Sequence, residues 1–194
     1  MEDFDGDQKD DKSKNTTKID MKSTPESLMA YIDESAVDLF ENLEIFSSAE
    51  LHARCQVDMQ SYTSKIQIES RTLGDMSLNH IIPTAIKYQN ILIENVQGIK
   101  EIFGTNFKTH ANEQLIILEN ISEHIKQINK GVADMLLARK KANTIDDINK
   151  KALAYAKTVA PFLNQIRYHC DKLELTVDDS IWPLAKYREL LFIR

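Results

Sequence analysis

This sequence predicts an all-α fold, an elongated antiparallel bundle of long helices with a disordered N-terminal tail, on three observations. Apolar residues recur by threes and fours over long stretches, no strand-like alternation of any length competes with them, and only 5 glycines in 194 residues leave little room for tight hairpins. The apolar fraction of 42% suits a chain that buries a core, and the net charge of -6 argues against a general phosphate-binding surface. Nucleic acid is therefore not an expected partner.

Residues 1–22 mix acidic and basic side chains with almost nothing to bury, so the entropy of ordering them goes uncompensated. A disordered charged tail is expected there, followed by a helical domain over 23–194. Ser23 and Glu26 have capping-box spacing, Pro25 suits a first turn, and Leu28, Tyr31, Ile32, Val37, Leu39 and Phe40 supply an apolar side. Together they predict a helix from about Pro25 to Leu43. Ser47 and Glu50 repeat the capping box, and Leu51, Cys55 and Met59 carry a second helix at least to Ile66 or Ile68. Gly74 and Pro83 then predict a kink or a short break between them.

The stripe Leu78, Ile82, Ala85, Leu92, Val96, Ile99 and Phe103 marks the next helix, which Gly104 stops. Leu118, Ile121, Ile125, Ile128, Val132 and Met135 alternate steps of three and four without a miss, the pattern of a packing seam. Arg139-Lys140-Lys141 reads as the solvated end of that helix, its cations complementing the dipole. Asn143-Thr144 and Asp146-Asp147 start a last helix through Ile145, Ile148, Ala152, Tyr155, Val159, Phe162, Ile166, His169, Leu173 and Val177, which Pro161 should bend.

Catalytic chemistry finds no footing in these patterns. A di-metal site in a bundle needs Glu-x-x-His on facing helices, and none of the 5 histidines has a Glu three positions before it. Glu119, Glu123 and His124 flank the seam and read as a solvated face. Gly98 and Gly104 lack the Lys-Ser/Thr of a phosphate loop. Tyr168-His169-Cys170-Asp171 puts a thiol beside a base, but sequence neighbours on a helix point in different directions. His169 then reads as a satisfied core or interface histidine.

Cys55 and Cys170 show no C-x-x-C spacing and are expected to be free thiols. The N-terminus has no signal-peptide core and no run of about 18 apolar residues occurs, so a reducing, cytoplasmic setting and no membrane partner are expected. Asp178-Asp179 reads as a turn before Trp182-Pro183. No catalytic, cofactor-binding or metal-ligating residue is assigned. Trp182, Leu184, Tyr187, Leu191 and Phe192 are expected to anchor the C-terminus against the bundle or a neighbouring domain.

The stretches "ELHARCQVDMQSYTSKIQIES" (50–70), "HIIPTAIKYQNILIENVQGIKEIFG" (80–104), "ARKKAN" (138–143) and above all "IRYHCDKLELTVDDSIWPLAKYRELLFIR" (166–194) resemble the C-terminal helical region of type III glutamine synthetases. The resemblance covers roughly residues 24–194, and its last motif is specific because helix periodicity does not generate that order of Trp-Pro-Leu and Lys-Tyr-Arg-Glu-Leu-Leu-Phe. That family joins ammonia to glutamate with ATP and divalent metal ions, and assembles as stacked rings. The resemblance implies that the glutamate, ATP and metal sites lie in a β-grasp part and a catalytic barrel preceding this region. This chain is then expected to hold no cofactor and to be inactive alone. The role implied is a non-catalytic assembly or stabilising module, partnered by a glutamine synthetase catalytic domain or full-length synthetase subunits. The alternative is a free-standing helical-bundle interaction protein that self-associates, or a gene fragment without enzymatic activity.

Overall fold

The computed structural model describes residues 23–191, without the side chains of Tyr187 and Arg188; the tail expected over 1–22 lies outside them. Among the described residues every regular element is helical. The expected first helix is two. α1 (Thr24–Met29) runs into a 3₁₀ turn at Ala30–Ile32 and stops where Asp33 becomes extended (ψ 144°), and α2 (Glu34–Asn42) restarts there. The amides of Ala36 and Val37 take the Asp33 carbonyl. Ser23 makes no capping bond, so the first capping box is not realised. The break lets Leu28 and Ile32 stay packed on Cys55 and Met59 while Leu39 goes to solvent.

The second capping box forms in full. Ser47 Oγ accepts the Glu50 amide at 3.4 Å, and Glu50 Oε2 accepts the Ser47 amide at 2.9 Å. From there α3 (Ser48–Met76), a π-turn (Ser77–Ile81) and α4 (Ile82–Phe103) make one uninterrupted rod. At 1.5 Å per residue it is about 80 Å long.

The disturbance expected between Gly74 and Pro83 is a π-turn that does not break the helix. The Ile82 amide donates to the Ser77 carbonyl, five residues back, immediately before Pro83. A helical proline lacks a donor and its ring strikes the carbonyl four back, so the wider turn accommodates both defects without ending the helix. The same solution recurs at Pro161: α7 (Ile148–Ala154), a π-turn (Tyr155–Val159) and α8 (Ala160–Thr176) are continuous, with the Ala160 amide on the Tyr155 carbonyl. The extra residue in the turn also shifts the register of the apolar stripe. Ser77 and Ile81 are buried, whereas Leu78, inside the stripe on a regular helical count, is exposed.

Gly104 adopts φ +55°, a backbone region that glycine enters without strain. A 3₁₀ turn (Gly104–Asn106) and α5 (Phe107–His110) then reverse the chain into α6 (Asn112–Asn143). α6 runs antiparallel to the rod, since Gln89 meets Ser122 and Gln67 meets Asn143. α7 and α8 run back antiparallel to α6, with Asn143 opposite Tyr155 and His124 opposite His169. The three strands of helix enclose a core in which Tyr155, Ile128, Met135, Ile166 and Leu173 are fully buried. The seam positions Ile121, Ile128, Val132 and Met135 all lie inside it.

Arg139 departs from the solvated helix end expected for it. Four residues beyond Met135 it continues the seam, and it is buried, while Lys140 and Lys141 are exposed. Among the described residues no helix is long and apolar enough to cross a membrane.

Candidate docking surfaces and the carboxy-terminal clamp

The chain beyond α8 is held by a short polar circuit. Val177 leaves the helix extended and buried, and Asp178 Oδ1 accepts the Ser180 amide at 2.7 Å, closing a turn. That bond holds the Asp178 carboxyl below its usual range. Lys186 then folds back: its ammonium donates to the Glu174 carbonyl at 2.8 Å, pairs with Asp179, and lies 5.8 Å from the centre of the Trp182 ring.

The circuit presses Ile181, Trp182 and Leu184 onto the bundle core. Trp182 Nε1 is buried and finds no hydrogen-bond acceptor. Of the other residues singled out in the sequence, Tyr187 opens α9 (Tyr187–Leu190), where only its backbone is described; Leu191 is exposed; Phe192 lies outside the described residues. Ile181 was not singled out, although it follows Val177 by four.

His169 is half-buried, with its Nδ1 3.0 Å from Nδ1 of His124 on α6. His124 is therefore not part of a solvated face. Three residues after Ile121, it lies on the edge of the seam that α8 covers. Burial, then the neighbouring His169 and Lys172, push its pKa down. Glu119 and Glu123 do stay in solvent.

Cys170 turns the other way, its sulfur 3.5 Å from Ser77 Oγ, and Cys55 reaches the Leu28 carbonyl at 3.4 Å. Both thiols are free and buried, and burial raises both pKa values, so neither is an activated nucleophile. Among the described residues no three His, Cys, Asp or Glu side chains are placed to hold a metal ion.

Two apolar surfaces remain in solvent at opposite ends. Beside the start of the rod lies an open cleft of about 610 Å³, lined by Leu28, Tyr31, Phe40, Phe46, Leu51 and Val57. The Arg54 guanidinium covers Phe46 at 4.4 Å, and Phe40 packs on Phe46 at 5.9 Å. At the other end the rod and α6 outrun α8 as a two-helix hairpin, where Ile102 and Phe103 are exposed, and Ile91, Ile93 and Ile116 are exposed on the adjoining turns. Ile102 is 77% exposed, and Phe103 stacks on His110 at 3.9 Å.

Comparison with known families gives this architecture a place. The model of the glutamine synthetase C-terminal domain matches residues 8–100, through α4 almost to its end. The chain is a member of the glutamine synthetase C-terminal domain family. This C-terminal domain is 44% identical over 171 residues to a glutamine synthetase of Bacteroides fragilis (strain YCH46), covering 88% of the chain and 24% of that protein. It is 27% identical over 175 residues to a type-3 glutamine synthetase of Dictyostelium discoideum, covering 90% and 24% respectively. A glutamine synthetase of Butyrivibrio fibrisolvens is 22% identical over 172 residues. The C-terminal domain thus spans about a quarter of the length of the curated relatives it matches.

Proposed function

We propose that this chain is a non-catalytic helical module of a glutamine synthetase, which packs on the catalytic part of that enzyme and stabilises its assembly in the cytoplasm. The observation that carries this reading is the pair of apolar surfaces at the two ends of the bundle. Monomeric soluble proteins rarely leave contiguous apolar patches larger than a few hundred Å² in water, and larger ones mark interaction sites. A domain that makes up a quarter of its relatives has a much larger neighbour available to cover them. ATP and divalent metal are then held by that neighbour, where the family's chemistry is done.

Mixing the purified chain with a full-length type-3 synthetase and resolving the mixture by size-exclusion chromatography tests the packing role. Co-elution is expected; separate elution with unchanged synthetase activity would defeat the reading. The chain alone should form no glutamine from glutamate, ammonia and ATP, and reproducible turnover would overturn its non-catalytic character.

A further inference from the structure

The middle of the bundle holds a charge that the fold does not neutralise. Arg139 is only 8% exposed, and its Nε is shut off from solvent without an acceptor. An ionised group taken from water is unfavourable unless a counter-charge and hydrogen bonds replace its hydration.

One turn further along α6, Asn143 uses only its side-chain oxygen. Oδ1 accepts from Gln67 Nε2 at 3.0 Å and from the Tyr155 hydroxyl at 2.6 Å, which leaves the Nδ2 donors without a partner in the described residues. Residues four apart share a helix face, so Arg139 and the exposed Asn143 lie on one face of α6 with donors to spare. Lys140 and Lys141, exposed beside them, add positive potential to the same end of the helix. The group that complements such a set is a carboxylate, whose two oxygens match the guanidinium fork.

We propose that Arg139, with Asn143 beside it, is a carboxylate-binding point of this domain, filled by an Asp or Glu side chain of the protein that packs on it or by a small carboxylate. The site deepens the packing role proposed above, and rests on it only for the source of the carboxylate. An anion drawn to Arg139 would convert an unfavourable buried charge into a paired one on docking.

Thermal unfolding of the full chain in sodium glutarate, against sodium chloride at equal ionic strength, reads the site without a protein partner. Glutarate should raise Tm of the wild type by about 3 °C over chloride, the shift of a ligand present well above its Kd. Arg139→Met should lose that shift and, in chloride, melt no lower than wild type, because an unpaired charge has been exchanged for an apolar chain. Arg139→Lys, which lacks the fork, should keep less than half of it. A second arm repeats the co-elution with the type-3 synthetase, comparing wild type with Arg139→Met.

Weaker association of Arg139→Met without any glutarate effect assigns the carboxylate to the synthetase. A glutarate shift in the wild type alone, with association unchanged or absent, assigns the site to a small carboxylate, and if association is absent only the packing role fails. No Arg139-dependent glutarate shift and no Arg139-dependent change in association overturns the proposal. So does an Arg139→Met chain that melts well below wild type in chloride yet responds to glutarate as wild type does.

Discussion

The contact between His124 and His169 constrains its own protonation. Two Nδ1 atoms 3.0 Å apart share a hydrogen bond only when one ring carries a proton there and the other presents a lone pair, so the bond survives one added proton and not two. Burial, His169 and then Lys172 hold His124 below its ordinary pKa of 6.5, against a weaker opposing pull from Glu123 on its own helix. A group with a depressed folded pKa binds its proton more readily when unfolded. Its contribution to stability is present above pH 6.5 and is lost as the pH falls through that value towards the folded pKa. Urea unfolding at pH 7.5 and 5.5 should show wild type losing more stability in acid than His124→Gln; equal losses would clear the pair of responsibility. Two glycines give a second contrast at this scale. A Cβ at Gly74 would sit 3.6 Å from Val132 Cγ1, an ordinary contact, whereas at Gly131 it would sit 3.0 Å from Ile166 Cγ1 in the closed core. Gly74→Ala should stabilise by up to about 1 kcal/mol through helix propensity, and Gly131→Ala should recover less than that or be destabilising, as equilibrium unfolding would show.

At the scale of elements, the most consequential piece is the segment after α8, because its position depends on few contacts. Lys186 ties it to Glu174 and Asp179, and Trp182 with Ile181 and Leu184 supplies the apolar contact. Trp182→Ala should therefore cost about 2 kcal/mol, less than the loss at a fully buried aromatic, and should release the segment to proteolysis before the bundle melts. Unchanged melting and unchanged cleavage would show that the clamp stands without the tryptophan. The turn at Asp178 was legible in the sequence, since a short carboxylate two residues before an available amide closes such turns locally. The two π-turns were legible only as disturbances. Pro83 and Pro161 announce that a regular helical bond must be lost, but whether the helix kinks, breaks or widens depends on the packing on either side.

At the scale of the whole molecule, the rod and α6 extend past α8, so their hairpin end has two helices where the middle has three. Ile102 and Phe103 there lack the third layer that covers Ile128, Met135 and Ile166 in the middle. Light scattering on the isolated chain should accordingly show concentration-dependent self-association. Replacing Ile102 and Phe103 with Glu and Lys should reduce it without lowering Tm, since neither side chain is buried in the core. A monodisperse monomer at all concentrations would count against both surfaces as docking sites.

The all-α class, the α6 seam from Ile121 to Met135 and the last helix through Tyr155, Ile166 and Leu173 followed from the sequence alone, because helical periodicity and capping are local properties that neighbouring residues express directly. The restart at Asp33, the burial of Arg139, the pairing of His124 with His169 and the exposure of Leu78 and Leu191 were decided by the tertiary structure. Each depends on which helix lies opposite and on the register in which it packs. Those are set by contacts between residues dozens of positions apart, where a period of three and four is silent.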